Sequence, residues 1–228
     1  MILRQLARAE TGCVSYLVAD PEAGTCAAVD PTEDVQKFVE EARGIGARIE
    51  SVLETHTHAD HVSGARALAA ALHVPIHLPS RSAAKYPHEA IPDNARVRIG
   101  ELELRAAYTP GHTPDHMTFV VGDSALVGDC LLVGTVGRAD FYDRGPEELY
   151  HSIFDKILKL ADSVVVYPAH YGPRHGLPED RFTTIGRERR FNEALTLATK
   201  EDFIRYMTDG WPPKPRDWEA IVERNTRA

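Results

Sequence analysis

Between residues 56 and 61 the chain reads His56-Thr57-His58-Ala59-Asp60-His61. Three imidazoles and a carboxylate crowded together are metal-ligand types, and the mixture suits zinc or iron. A solvated polar loop has no reason to gather them at one place. Alternate positions His56 and His58 point the same way if strand conformation persists through them, and Asp60 and His61 then leave from the turn into the next helix. Three more candidates follow strand ends: His112 after Thr109-Pro110-Gly111, Asp129 after Gly128, and His170 after Tyr167-Pro168-Ala169. Singly, each reads as an ordinary loop residue. Together, and in this order, they describe a metal site, and on spacing alone all these residues could bind two zinc ions.

The elements that must position them can be read from periodicity. Strand patterns cover 13–19 and 25–29, with turn residues between. Asp30-Pro31 opens a helix whose apolar face is Val35, Phe38, Val39 and Ala42, ended by Gly44 and Gly46. The apolar run Ile49–Leu53 leads straight into the histidine cluster, and Ala65, Leu68, Ala69 and Leu72 mark a second helix. Residues 74–78 form a strand, 96–107 a hairpin around Gly100-Glu101, and 117–121 and 125–127 two strands joined at Gly122-Asp123. Pro146 to Leu160 predicts one amphipathic helix with Leu149, Ile153, Phe154 and Ile157 inward, and 164–167 a strand ending before His170. Polar clusters fall just after strands, which predicts packed sheets with helices outside and a site along one edge. Residues 1–185 read as one domain, and 186–228 as a charged C-terminal helical appendage packed on the same domain, broken at Trp211-Pro212-Pro213-Lys214-Pro215.

Bulk properties narrow the classes. Of 228 residues 43% are hydrophobic, enough for a sizeable core. The net charge of -8 argues against a nucleic-acid partner. No apolar run is long enough for a membrane helix. Cys13, Cys26 and Cys130 include no CxxC pair, and free thiols together with no signal-type N-terminus predict a reducing, cytoplasmic setting. The remaining histidines, His116 among them, show no partner pattern; His151 reads as a surface or interface residue, and pocket lining is the minor alternative for His116.

The ordered series Asp30, His56-x-His58-x-Asp60-His61, His112, Asp129 and His170 resembles the metallo-β-lactamase superfamily over about residues 10–175. That resemblance implies an α/β fold, an αββα sandwich of two packed mixed sheets flanked by helices, with Asp30 supporting the metal loop. From its own position Asp30 also reads as a helix N-cap before Pro31, with Glu33 completing the box. Three further segments, Gly137-Arg138-Ala139-Asp140-Phe141, Thr184 to Asn192 and Pro212 to Pro215, are similar to those of the persulfide dioxygenase (sulfur dioxygenase) family.

This second resemblance implies one Fe(II) per chain on His56, His112 and Asp129, with His58, Asp60, His61, His170 and Asp30 supporting those ligands or forming a vacant second site. Two imidazoles and a carboxylate leave room on iron for a sulfur ligand and O2. The implied reaction converts glutathione persulfide, O2 and water to sulfite and glutathione. Arg138 is a candidate to grip a glutathione carboxylate, with an ion pair to Asp140 or Asp143 as its alternative role; Arg189 and Arg190 are weaker candidates. Tyr171 is carried over as a substrate residue although it stands one position away from the family's active-site tyrosine. Related proteins are often dimers, so a homodimer is expected. The alternative reading is a glyoxalase-II-like thioester hydrolase with two zinc ions, against which stand the short step from His112 to Asp129 and the short tail after His170. A non-catalytic sulfur or metal sensor is the reading from a different class.

Overall fold

The structure is a computed structural model, and it describes residues 1–209, 211 and 213–228. Pro212, part of the Pro212–Pro215 segment, lies outside the described residues. The chain forms two compact units, one made of residues 1–7, 14–106 and 214–228, the other of 8–13 and 107–213.

The first unit carries β1 (Ile2–Arg8), β2 (Cys13–Asp20), β3 (Thr25–Val29), α1 (Val35–Gly44), β4 (Arg48–Leu53), α2 (Ala65–Leu72), β5 (Ile76–Pro79), β6 (Glu89–Ile91), β7 (Arg96–Ile99) and β8 (Leu102–Tyr108). The first six strands lie in sequence order in one sheet. It is mixed: β2 and β3 pair antiparallel, then β3–β4, β4–β5 and β5–β6 pair parallel. β3 and β4 are joined through α1, and β4 and β5 through α2, as parallel neighbours require. Phe38 and Ala42 of α1 and Leu68 and Ala69 of α2 join Leu17, Cys26, Ala28, Ile49, Val52 and Ile76 in a buried cluster. A fully buried side chain such as Phe38 contributes about 1.5–3 kcal/mol.

The second unit carries β9 (Met117–Val121), β10 (Ser124–Gly128), β11 (Leu131–Leu132), β12 (Thr135–Val136), α3 (Gly145–His151), β13 (Val165–Pro168), β14 (Thr183–Thr184), α4 (Ile185–Phe191) and α5 (Lys200–Thr208). Its strands run β14-β13-β10-β9, again mixed, with β10 and β13 parallel and their neighbours antiparallel. Leu149, Ile153, Ile157, Ile185, Phe203 and Met207 close its core over Ala125, Val127 and Val166. The last helix, α6 (Trp218–Thr226), belongs to the first unit.

Several expectations need correction. α1 starts at Val35, capped by Asp34, which accepts the amide of Lys37; Asp30 is therefore no N-cap. The stretch 145–160 is not one α-helix: α3 passes into a π-turn at Ser152–Lys156 and a 3-10 turn at Ile157–Lys159. Within the wider turn Ser152 donates to the Pro110 carbonyl at 2.6 Å, while Leu149, Ile153 and Ile157 keep the inward face. The tail is divided, with residues up to Pro213 counted in the second unit and Lys214 onward in the first.

Candidate metal centre

In the first unit, β4 delivers the histidine motif at its C-terminal end. Glu54, Thr55, His56 and His58 are all buried. Asp30, in a left-handed backbone conformation with φ 50° that aspartate tolerates better than most residues, accepts the Thr55 amide at 2.6 Å and the Thr55 hydroxyl at 2.8 Å. That hydroxyl, its proton given to a carboxylate, meets His56 Nδ1 at 2.8 Å as an acceptor. The relay assigns the ring proton of His56 to Nδ1 and leaves a lone pair at Nε2, the form a metal needs. Asp30 is thus linked to His56 through Thr55.

His58 is tied differently. Its Nε2 lies 2.8 Å from Glu54 Oε2 and 3.4 Å from Asp30 Oδ1, and its Nδ1 is 3.9 Å from Asp60 Oδ1. Burial pulls the imidazole down, but Glu54 first and then Asp30 outweigh it and hold His58 well above the ordinary histidine range. Burial raises the Glu54 carboxyl, whereas His58 and Thr55 overcome burial at Asp30 and lower it. Ser63 donates its hydroxyl to Glu54. His61 Nδ1 sits 2.9 Å from Asp60 Oδ2, and its ring centroid is 4.3 Å from that of His58. Gly64 closes the loop. A Cβ there would lie 2.0 Å from the Thr32 carbonyl oxygen, so only glycine fits.

In the second unit, His112, Asp129 and His170 converge. The parallel register of β10 on β13 slips between Leu126 and Gly128, a bulge of the kind that re-aims side chains beside active sites. Asp129 follows directly, with one imidazole facing each carboxylate oxygen. His170 Nδ1 is 2.7 Å from Oδ1, and His112 Nε2 is 3.5 Å from Oδ2. His112 Nδ1 is 2.8 Å from the Arg138 carbonyl, which can only accept, so Nδ1 carries the proton and the Nε2 lone pair faces a carboxylate oxygen. Two acceptors held face to face suit a cation between them. His170 Nε2 lies 3.6 Å from Cys13 Sγ. His116, completely buried, accepts the Asp129 amide on Nε2 at 3.1 Å and meets Thr109 Oγ1 on Nδ1 at 3.0 Å. It fixes the backbone of Asp129.

The Gly137–Phe141 segment is packed onto this group. A Cβ on Gly137 would lie 1.9 Å from the Asp129 carbonyl oxygen, so the close approach requires glycine. The Arg138 guanidinium donates to both oxygens of Asp140, at 2.7 and 2.9 Å, and stacks 5.4 Å from the Phe141 centroid. Tyr171 is buried beside His170, its amide bonded to the Gly12 carbonyl, with Arg181 5.5 Å over its ring. All three cysteines are free and buried; burial, then the Asp129 charge, pushes the Cys130 thiol far up, which disqualifies it as a nucleophile at neutral pH.

Glu54, Thr55 and Asn225 were missed in the sequence. Asn225 of α6 donates from Nδ2 to the carbonyls of His58 and His61 and accepts the Ser63 amide. Glu54 and Thr55 carried a signal, their adjacency to the motif; Asn225 carried none.

Residues 8–170 match the family described as the metallo-β-lactamase superfamily, and this chain, with its two mixed sheets and helices, belongs to that superfamily. The crystal structure of ETHE1 from Myxococcus xanthus aligns with a TM-score of 0.91, covers 99% of each chain and is 30% identical. The Bos taurus protein named persulfide dioxygenase ETHE1, mitochondrial, is 34% identical over 230 residues, covering 100% of this chain and 88% of the relative. Within the superfamily the chain belongs to the persulfide dioxygenase family, whose members are metal-dependent enzymes. A Dictyostelium discoideum protein named Glyoxylase B2 is 30% identical, over 88% of this chain and 80% of its own length. No helix among the described residues is long and apolar enough to cross a membrane.

Proposed function

We propose that this enzyme oxidises glutathione persulfide with O2 and water to sulfite and glutathione at a single Fe(II) held by His56, His112 and Asp129. The observation that carries the reading is the match to a persulfide dioxygenase across the whole chain. The donor chemistry fits the metal, because the Nδ1 protons of His56 and His112 are both assigned by acceptors, leaving Nε2 lone pairs on each, and Asp129 supplies a carboxylate oxygen. Bound iron supplies the redox and spin chemistry that lets O2 react with sulfur.

The chain's own residues do the rest. Thr55 and Asp30 hold the His56 ring; the Arg138 carbonyl holds His112; His116 and His170 fix Asp129 at its amide and its outer oxygen. Such contacts orient ligands and raise their basicity. In this reading His58, Asp60, His61 and His170 support the centre and hold no second metal. Arg138 and Tyr171 are proposed to face the glutathione moiety, Arg138 by sharing its guanidinium between Asp140 and a substrate carboxylate. On the same reading the enzyme works as a homodimer in the cytoplasm, where its free thiols stay reduced, without nucleic-acid or membrane partners.

The likeness to Glyoxylase B2 favours a second reading, a thioester hydrolase with two zinc ions. Metal analysis of protein purified without added metal, combined with an oxygen electrode and a sulfite assay, separates the two. About one iron per chain and sulfite formed with O2 uptake is the expected result. Two zinc ions, with lactoylglutathione hydrolysed and no O2 consumed, would overturn it. Persulfide bound with neither reaction would mark a sensor.

A further inference from the structure

We propose that Asn225 is a positioning residue for the His58–Ser63 loop, clamping it to α6 so that Asp60 and His61 keep a fixed place. The carboxamide makes three bonds to this loop: Nδ2 donates to the His58 carbonyl at 3.0 Å and the His61 carbonyl at 2.9 Å, and Oδ1 accepts the Ser63 amide at 2.9 Å. Among the described residues of α6 only Asn225 is buried. An amphipathic helix usually buries apolar residues; the one residue α6 buries is polar and faces backbone. The helix is brought there by its C-terminal carbonyls, since Arg66 of α2 donates to the carbonyls of Arg224 and Arg227 and the Lys85 amide to that of Thr226. Cationic donors at a helix C-terminus are favoured by its dipole.

The loop needs such a clamp. Its inner end is held at side chains, His58 and Ser63 on Glu54, but two of its carbonyls and one amide are met by Asn225. Backbone groups shielded from water are costly to leave without partners, and a loop that shifts to regain them would carry Asp60 and His61 with it. His56 is held independently through Thr55 and Asp30. Asn225 touches neither a candidate ligand's ring nor a substrate residue, so it acts through the loop backbone. The inference rests on the reading that this loop belongs to the metal centre.

The test compares the holoenzyme with Asn225→Ala and Asn225→Asp, the latter nearly isosteric, keeping an acceptor for Ser63 and removing both N–H donors. Arg224→Ala is the control; it removes the side-chain pair with Glu33 at 3.8 Å and leaves the backbone carbonyl that Arg66 uses. Hydrogen exchange of residues 58–64, metal retained against a chelator, and kcat with KM are measured. Both Asn225 variants should exchange the loop at least about tenfold faster than the rest of the first unit. They should hold metal about tenfold less tightly, the lower end of the effect of a supporting partner, and lose kcat with KM little changed. Arg224→Ala should match the wild type. Unchanged loop exchange, a uniform rise across the unit, or faster loop exchange with metal retention and kcat intact would each overturn the proposal. Should both variants fail to fold, the wild type decides: the Ser63 amide must exchange as slowly as those of β4, and fast exchange overturns the clamp. Loop and metal effects as expected in a protein that oxidises no persulfide would leave the clamp standing and overturn the proposed reaction instead.

Discussion

The main chain of Arg138 and its side chain serve different partners: the carbonyl accepts His112 Nδ1 at 2.8 Å, while the guanidinium is bidentate on Asp140. Replacing the side chain removes the second contact and spares the first. That separation makes the residue's two roles measurable one at a time.

Arg138→Ala should therefore keep its metal and raise KM for glutathione persulfide several-fold, less so for a small uncharged persulfide. Asp140→Ala, which releases the guanidinium but keeps it, should leave KM nearly unchanged or lower. Steady-state kinetics on both, with metal content alongside, checks this. Equal KM values for the two variants and the wild type would restrict Arg138 to holding Asp140.

The candidate ligands are not equivalent. His112→Ala and Asp129→Ala should lose the metal and nearly all activity, since each removes a donor of the proposed centre. His61→Ala should retain much of its metal, with activity lower by about 10–100-fold. Elemental analysis of the purified variants reads this directly; complete metal loss in His61→Ala contradicts the single-iron assignment.

Thr55→Val preserves shape and removes the hydroxyl between Asp30 and His56. Metal affinity should fall by about 10–100-fold with little change in Tm, because the Thr55 amide still bonds Asp30. Competition with a chelator measures the first and thermal unfolding the second. Affinity equal to the wild type would show that the relay does not set the His56 ring.

Burial, with a further push from Glu50, raises the Cys26 thiol from 9.0 to about 12. A thiol held protonated in the fold contributes stability below its unfolded pKa and loses it as pH rises toward the folded one. Unfolding free energy should thus decline between pH 9 and about 12, by up to about 1.4 kcal/mol per pH unit. Denaturant titrations at stepped pH, compared with Cys26→Ala, isolate the contribution; an identical slope in the variant would refute it. Cys26 should also resist alkylation at pH 8 until the protein unfolds.

Much of the site was legible in the sequence because its chemistry sits in contiguous motifs at strand ends. The run 56–61 follows β4, and both the apolar periodicity of that strand and the turn residues after β10 were readable. Short or irregular elements were not. β6, β11, β12 and β14 have two or three residues each, too few for a period. The π-turn at Ser152 comes with a bond to Pro110, 42 positions away, which no local period announces. His116 gave no pattern because its partners are a backbone amide and a threonine hydroxyl. Asp30 looked like a cap because aspartate before proline often is one; the left-handed backbone that aims it at Thr55 is set by the fold.

The bonds from Asn225 to the loop also fix an order of events in time. Ser63 and Asn225 are 162 positions apart. At a synthesis rate of about 5–20 residues per second, the histidine motif has left the ribosome for on the order of ten seconds or more before α6 exists to hold it. During that interval the carbonyls of His58 and His61 and the amide of Ser63 lack the partner that Asn225 later supplies. The clamp proposed above therefore cannot act on the nascent loop, whose final geometry waits for the last helix of the chain.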